Sequence, residues 1–226
     1  MKKIIITVDG WSSCGKSTMA RQLAKELNYV FIDSGAMYRA ITLYFINNEI
    51  DLSSSIDIEN ALQKISLKFV LNPENGNNEI WLNEKNVENL IRNMRIAERV
   101  SEVAALKSVR EFAVAQQQLI GANRGIVMDG RDIGTAVFPL AELKIFMTAD
   151  VSVRVYRRFK ELIVKNPNIT LEEVKANLEA RDYTDSNREI SPLRKADDAI
   201  TLDNSELTTN EQLELALKWA NQKING

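Results

Sequence analysis

The chain has 226 residues, 45% of them hydrophobic and 27% charged, with nine glycines and four prolines, which suits one globular domain and excludes a disordered chain. Its formal net charge of -2 argues against nucleic-acid or membrane-surface partners, and the absence of histidine excludes Ser-His-Asp, Cys-His and histidine-ligated metal chemistry. A single cysteine and apolar runs too short to cross a bilayer set the expectation of a cytoplasmic protein with small-molecule partners.

In chain order, residues 4–8 (IIITV) form a β-branched run closed by Asp9-Gly10, the pattern of a buried strand. Residues 17–27 follow, with Met19, Ala20, Leu23, Ala24 and Leu27 at helical spacing and Asn28 as a stop. Residues 29–33 (YVFID) predict a second strand and residues 36–47 a second helix. Residues 125–130 (GIVMDG), 143–149 (LKIFMTA) and 199–202 (AITL) add three more strands. Five short apolar strands separated by helical segments predict an α/β fold, a five-stranded parallel sheet with helices on both faces.

The middle of the chain breaks that rhythm. Residues 67–71 (LKFVL) and 79–83 (EIWLN) flank the turn-rich NPENGNN, which predicts an antiparallel hairpin. A long helical stretch over residues 96–120 follows, interrupted near Ser108. Within a single domain over residues 1–226, residues 63–105 are therefore expected to form an inserted antiparallel β plus helix subdomain.

Residues 9–18, DGWSSCGKST, fit GxxxxGK[ST] between a strand and a helix, the setting a phosphate loop requires. Gly10, Trp11, Ser12, Ser13, Cys14, Gly15, Lys16, Ser17 and Thr18 would cradle phosphate mainly through backbone N–H groups, aided by the N-terminus of the following helix. Lys16 would reach the outer phosphates and the Ser17 hydroxyl a magnesium ion. Trp11 is expected to pack beside the loop, and Cys14 to contribute its backbone amide, an oxidation-sensitive thiol being the alternative.

Three further stretches carry chemistry. FIDSGAMYRA puts Ser34 at a strand end and Tyr38 and Arg39 on the next helix, where a second phosphate could be met; a helix cap with an exposed arginine is the alternative. VMDGRDIGTAVFP ends a strand at Asp129, near where a metal's hydration shell would stand, and presents Arg131 and Asp132 either to a ligand or to each other. ARDYTDSNREISPLRKADDA follows a capping box at Thr170-Leu-Glu-Glu173. Arg181, Asp185 and Arg188 would share a helical face if the helix continues, pairing among themselves or holding a ligand. Arg157 and Arg158 stand on the preceding helix, which Asn166-Pro167-Asn168 ends. Residues 154–170 are thus expected to act as a lid.

Together GWSSCGKST, FIDSGAMYR, VREF at residues 109–112, MDGRDIGTAVFP and ARDYTDSNR closely resemble the bacterial cytidylate kinases, along nearly the whole chain. The resemblance implies the P-loop nucleoside monophosphate kinase fold, with the insert binding the monophosphate, a short helical lid, and a monomer. It implies ATP and Mg2+ at residues 10–18, with Ser17 near the metal. Ser34, Arg39, Arg131 and Arg188 would surround the CMP phosphate. Ser101, Arg110 and Asp132 would read cytosine, and Asp185, oriented by Arg181, would meet the sugar. Catalysis would fall to Lys16, Arg131, Arg157, Arg158 and Arg188, transferring phosphate from ATP to CMP or dCMP. The glutamines after Arg110 are assigned no role. A P-loop kinase for another acceptor, or an ATP-driven switch, would share the phosphate loop without these acceptor residues.

Overall fold

The structure, a computed structural model, describes residues 2–164 and 166–226; Met1, and Lys165 of the expected lid, lie outside the described residues. The central strand β1 (Ile5–Gly10) lies between β6 (Ile126–Gly130) and β7 (Leu143–Thr148), with β2 (Val30–Asp33) outside β6 and β8 (Ile200–Asp203) outside β7, all parallel. β1 and β6 are buried along their whole length, which is why they read as continuous apolar runs and not as alternations. The parallel register sets the ends of three strands side by side: Asp9 pairs with Gly130, and Asp33 with Asp129. Three carboxylates from separate stretches, Asp9, Asp33 and Asp129, are thereby gathered at the carboxyl ends of the strands.

On one face, α1 (Lys16–Leu27) and α8 (Thr209–Asn225) bring Met19, Leu23, Ala216 and Ala220 against Ile4, Ile6 and Val8. On the other, Ile5, Ile32 and Met128 meet Ile133 and Val137 of a π turn (Ile133–Val137). Helix α1 ends at Asn28, which takes the left-handed conformation (φ 53°) and turns the chain into β2. Helix α2 (Ser34–Asn47) starts two residues before the apolar pattern, because the Asp33 carboxylate accepts the Ala36 N–H at 2.9 Å.

The middle segment forms a separate antiparallel sheet of β3 (Leu67–Leu71), β4 (Asn78–Leu82) and β5 (Lys85–Asn86). The two-residue β5 is too short to show a period in sequence. Ile80, Leu82 and Ile91 of this region pack on Ile41 and Phe45 of α2 and on Ile58 and Leu62 of α3 (Ser55–Leu62). Helices α3 and α8 are additions to the elements expected from sequence.

The long helical stretch is two helices, α4 (Met94–Ala105) and α5 (Lys107–Gly121), joined by Leu106 in an extended conformation (φ −66°, ψ 130°). The break thus falls two residues before Ser108. Arg110 NH1 donates to the Ala104 carbonyl at 3.2 Å, satisfying an acceptor that the break frees. Helices α6 (Val151–Ile163) and α7 (Leu171–Asn187) form a hairpin with its own small core of Val155, Ile169, Val174 and Leu178. Its turn is closed by the Asn166 N–H on Leu162 O at 2.8 Å, and the Thr170/Glu173 capping box opens α7. Arg181 and Asp185 share α7, but Arg188 is its C-cap and leaves the helical path (φ −63°, ψ 144°). Among the described residues, no helix is long and apolar enough to cross a membrane.

Candidate active site

A cleft of about 320 Å³ opens at the sheet edge, floored by Ser12 to Thr18 (except Cys14), Asp33 and Asp129 to Asp132 and walled by α2, α4, α6 and α7. At one end stands the phosphate loop. Gly10 has φ 146°, and a Cβ there would lie 2.0 Å from the Met147 carbonyl oxygen, so only glycine lets the loop leave β1 so close to β7. Gly15, left-handed at φ 90°, precedes α1. Lys16 is buried and donates to Trp11 O, across the loop it serves; burial, and then Arg131, lower its pKa. Ser17 Oγ donates to Asp129 Oδ2 at 2.5 Å. Asp129 Oδ1 is buried without a partner. Burial, reinforced by Asp33, pushes the Asp129 carboxyl up to about 6.

Trp11, Cys14 and Gly10 stay out of the cleft lining. Cys14 is fully buried in the core under α1, its carbonyl accepting Asn204 Nδ2 at 2.8 Å and its thiol 3.6 Å from Lys16 Nζ. The Trp11 ring lies beside Arg154, 5.9 Å from the guanidinium carbon to the ring centroid. Asp9, just before the loop, accepts the Ile133 and Gly134 N–H groups at 2.8 and 2.7 Å. Its burial nonetheless pushes its carboxyl up to about 7. Asp9 therefore ties the start of the phosphate loop to the turn after Arg131 and Asp132.

The other end gathers the remaining candidates. Ser34 Oγ donates to Asp129 O at 2.6 Å, and Arg39 NH2 to Asp33 Oδ2 at 2.8 Å. Arg92, unread in the sequence, joins them by donating to Asp33 at 2.9 Å and to Glu88. Burial raises the Asp33 pKa, but Arg39 and Arg92 outweigh it and hold the carboxyl at about 2. Arg110 and Asp132, both nearly fully buried, form an ion pair at the head of the cleft; Arg188 NH2 reaches the other Asp132 oxygen at 3.3 Å. The Arg110 guanidinium lies 5.4 Å from the Tyr38 ring centroid, and Ser101 enters the lining from α4.

Arg131 Nε donates to Asp185 Oδ2 and its NH2 to Ser12 Oγ, both at 2.8 Å. Asp185 is thus oriented by Arg131, whereas Arg181, expected in that role, keeps a buried Nε without a partner. Burial, and then repulsion from Arg131, lower the Arg181 pKa to about 10. Of the two arginines expected in a lid, Arg158 lines the cleft and pairs with Glu161 at 2.9 Å, while Arg157 turns away to Asn204 Oδ1 and O at 3.1 and 3.0 Å.

The arginines thus pair with carboxylates and also face the cleft. Eight cationic side chains and five carboxylates line it among the described residues, a surplus of positive charge suited to a polyanion. Arg39 Nε and Arg181 Nε are buried without protein partners, a demand that a bound ligand would meet. Gln117 and Gln118 follow Arg110 on α5. Gln118 Nε2 donates to Val137 O at 3.1 Å, tying α5 to the π turn, and the fully buried Gln117 lies beside Tyr38.

The cytidylate kinase family pattern matches residues 6–222 of the chain. A cytidylate kinase of Bacteroides thetaiotaomicron is 56% identical over 217 residues, 95% of each chain, and one of Bacteroides fragilis is 54% identical over the same share of each. Among solved structures, a shikimate kinase from Acinetobacter baumannii in complex with shikimate aligns over 98% of this chain and 94% of that one, with a TM-score of 0.50 and 12% identity; that likeness concerns the fold alone. With a pattern match and identities of this order along nearly its full length, the chain belongs to the cytidylate kinase family.

Proposed function

We propose that the protein transfers the γ-phosphoryl group of ATP to CMP or dCMP, giving ADP and CDP or dCDP. The observation that carries this reading is the buried Arg110–Asp132 pair at the head of the same cleft whose other end is the phosphate loop. Asp132 uses one lone-pair direction for Arg110 and one for Arg188 and retains capacity to accept from the exocyclic amine of cytosine. Uracil replaces that amine with an acceptor, leaving the carboxylate unsatisfied at a cost of about 1–3 kcal/mol. Ser101 and Arg110 complete the base end, Arg181 and Asp185 the sugar end, and Ser34, Arg39, Arg131 and Arg188 the acceptor phosphate.

The nucleophile is a phosphate oxygen of CMP, largely ionised at neutral pH, so no general base is needed and the lack of histidine is no obstacle. Lys16 and the arginines stabilise the charge that spreads over the transferring group, and the loop and α7 hold donor and acceptor in line. Arg158 brings charge from the lid over residues 154–170, and Arg157 acts through Asn204 on the loop. The insert over residues 63–105 forms the monophosphate wall through α4 and Arg92.

The hydroxyl of Ser17 beside a carboxylate oxygen of Asp129, whose second oxygen is unpartnered, is an oxygen donor set that fits Mg2+. When bound, that ion neutralises charge on the β- and γ-phosphates. ATP supply and a lone cysteine fit a cytoplasmic location, and a monomer is what the family resemblance implies. A coupled ADP-release assay over CMP, dCMP, UMP, AMP and no acceptor tests the reading. Turnover with CMP and dCMP is expected; turnover only with another acceptor, or without any, would overturn it.

A further inference from the structure

Arg154 and Asp182 belong to none of the phosphate, base or sugar contacts above. Arg154 lies near the start of α6 and is 5% exposed; Asp182, on α7, has 13% of its side chain exposed. Arg154 NH1 donates both to Asp182 Oδ2 and, at 3.1 Å, to Ser12 O, while its Nε donates to Ala149 O at 3.1 Å. Asp182 Oδ1 accepts the Ser12 N–H at 3.2 Å. Both backbone groups of Ser12 are thus held by the α6–α7 hairpin.

The side chain of Ser12 is engaged from the opposite side. Its Oγ accepts Arg131 NH2 at 2.8 Å, and Arg131 Nε is held by Asp185 at 2.8 Å. Asp182 and Asp185 are three residues apart on α7 and so share a face. One helix therefore fixes Ser12 with one carboxylate and Arg131 with the next. Because Arg131 donates to it, the Ser12 hydroxyl keeps its own hydrogen free to point elsewhere. An unpaired carboxylate beside a polyphosphate loop would repel the ligand; Arg154 cancels that charge while it binds the same residue.

We propose that Arg154 and Asp182 are positioning residues for phosphoryl transfer: they fix Ser12 so that its hydroxyl holds Arg131 between the phosphate loop and the acceptor phosphate. The stance of Arg131 then depends on the hairpin being in place, so the arginine is aimed only when water is also excluded. The inference rests on the kinase reading above.

A double-mutant cycle on kcat tests it, using the full chain at saturating ATP and CMP with Ser12→Ala, Asp182→Asn and the pair. Asp182→Asn keeps the size and an acceptor for the Ser12 N–H but loses the charge that Arg154 grips. Ser12→Ala keeps both backbone groups and removes only the hydroxyl. If Asp182 acts through that hydroxyl, each single change lowers kcat about tenfold, the pair falls no more than about threefold below either, and KM for CMP stays within about threefold. Losses that multiply, a wild-type kcat in Asp182→Asn, or a loss matched by the unfolded fraction in a thermal melt would each overturn the proposal. Wild-type protein without CMP-dependent turnover would overturn the kinase reading and this proposal together, whereas multiplicative losses in an active wild type would overturn this proposal alone.

Discussion

At the proposed donor end of the cleft one continuous stretch, residues 10–18, supplies the loop, whereas the proposed acceptor end draws Ser34 and Arg39 from α2, Ser101 from α4, Arg110 from α5, Arg131 and Asp132 from the segment after β6, and Arg181, Asp185 and the C-cap Arg188 from α7. The proposed donor end would work with backbone N–H groups and one lysine, while Trp11 and Cys14 stay out of the cleft lining. The acceptor end works with arginines that cannot stand close together unless carboxylates separate them. Asp33 lies between Arg39 and Arg92, Asp132 between Arg110 and Arg188, and Asp185 against Arg131. A phosphate can be held by local geometry, but choosing which nucleotide receives it takes a network assembled by the whole fold.

Removing the principal cation from each end should give the largest effects. Lys16→Met and Arg131→Met are each expected to lower kcat by about 10³, the scale of cation contributions to phosphoryl transfer. KM for CMP should rise only in Arg131→Met. Steady-state kinetics with each substrate varied in turn checks this, and an equal rise of KM for CMP in both variants would erase the division between the ends.

Stability against pH should separate two aspartates, Asp33 at the end of β2 and Asp9 near the end of β1. Asp33, held at about 2 by its arginines, contributes stability that is fully present above about pH 4 and lost as pH falls through about 2, roughly 2 kcal/mol in all. Asp9, raised to about 7 by burial, behaves oppositely: its contribution is present below about pH 4 and lost as pH rises through about 7. Urea midpoints measured from pH 2 to 8 should lose part of the acid limb in Asp33→Asn and part of the neutral limb in Asp9→Asn. An acid limb unchanged in Asp33→Asn would show that its ion pairs are not stabilising.

A smaller effect is expected at the insert. Arg92, 36% exposed at its side chain and shared between Asp33 and Glu88, should on truncation to alanine raise KM for CMP about tenfold, the value of about 1.4 kcal/mol for one charge-assisted contact. KM for ATP should not move; a rise confined to ATP would assign Arg92 to the donor end. The smallest change belongs to Trp11→Phe, which keeps an aromatic face for Arg154. We expect kcat within about threefold of wild type, in keeping with a cation–π contact of about 0.5–1 kcal/mol. A loss of a hundredfold would mean that the indole itself touches ligand.

How far the sequence reveals all this follows the same division. The strand, loop and helix of the donor end are local patterns, and the five-stranded parallel sheet follows from apolar runs that local spacing displays. Asp9 was visible only as the polar close of a strand; its two bonds to the turn at residues 133–134 depend on the pairing of β1 with β6. Arg92, Arg154 and Asp182 look like ordinary surface charges until the insert and the hairpin bring them to Asp33 and Ser12. The break at Leu106 frees the Ala104 carbonyl for Arg110, whose other nitrogen pairs with Asp132 after β6, a long-range contact that helix propensity does not contain. Arg157 and Arg158 are sequence neighbours with the same charge, yet one faces Asn204 and the other the cleft, since adjacent residues on a helix point about 100° apart.

On the proposed reading, the cleft selects cytosine through the buried carboxylate of Asp132. The ratio of kcat/KM for CMP to that for UMP, measured side by side in wild type and Asp132→Asn, tests it most directly. A ratio of about 10 to 100 is expected in wild type, the fold-change that about 1–3 kcal/mol supplies, collapsing toward about one in the variant. A wild-type ratio near one, or a ratio that Asp132→Asn leaves intact, would contradict it.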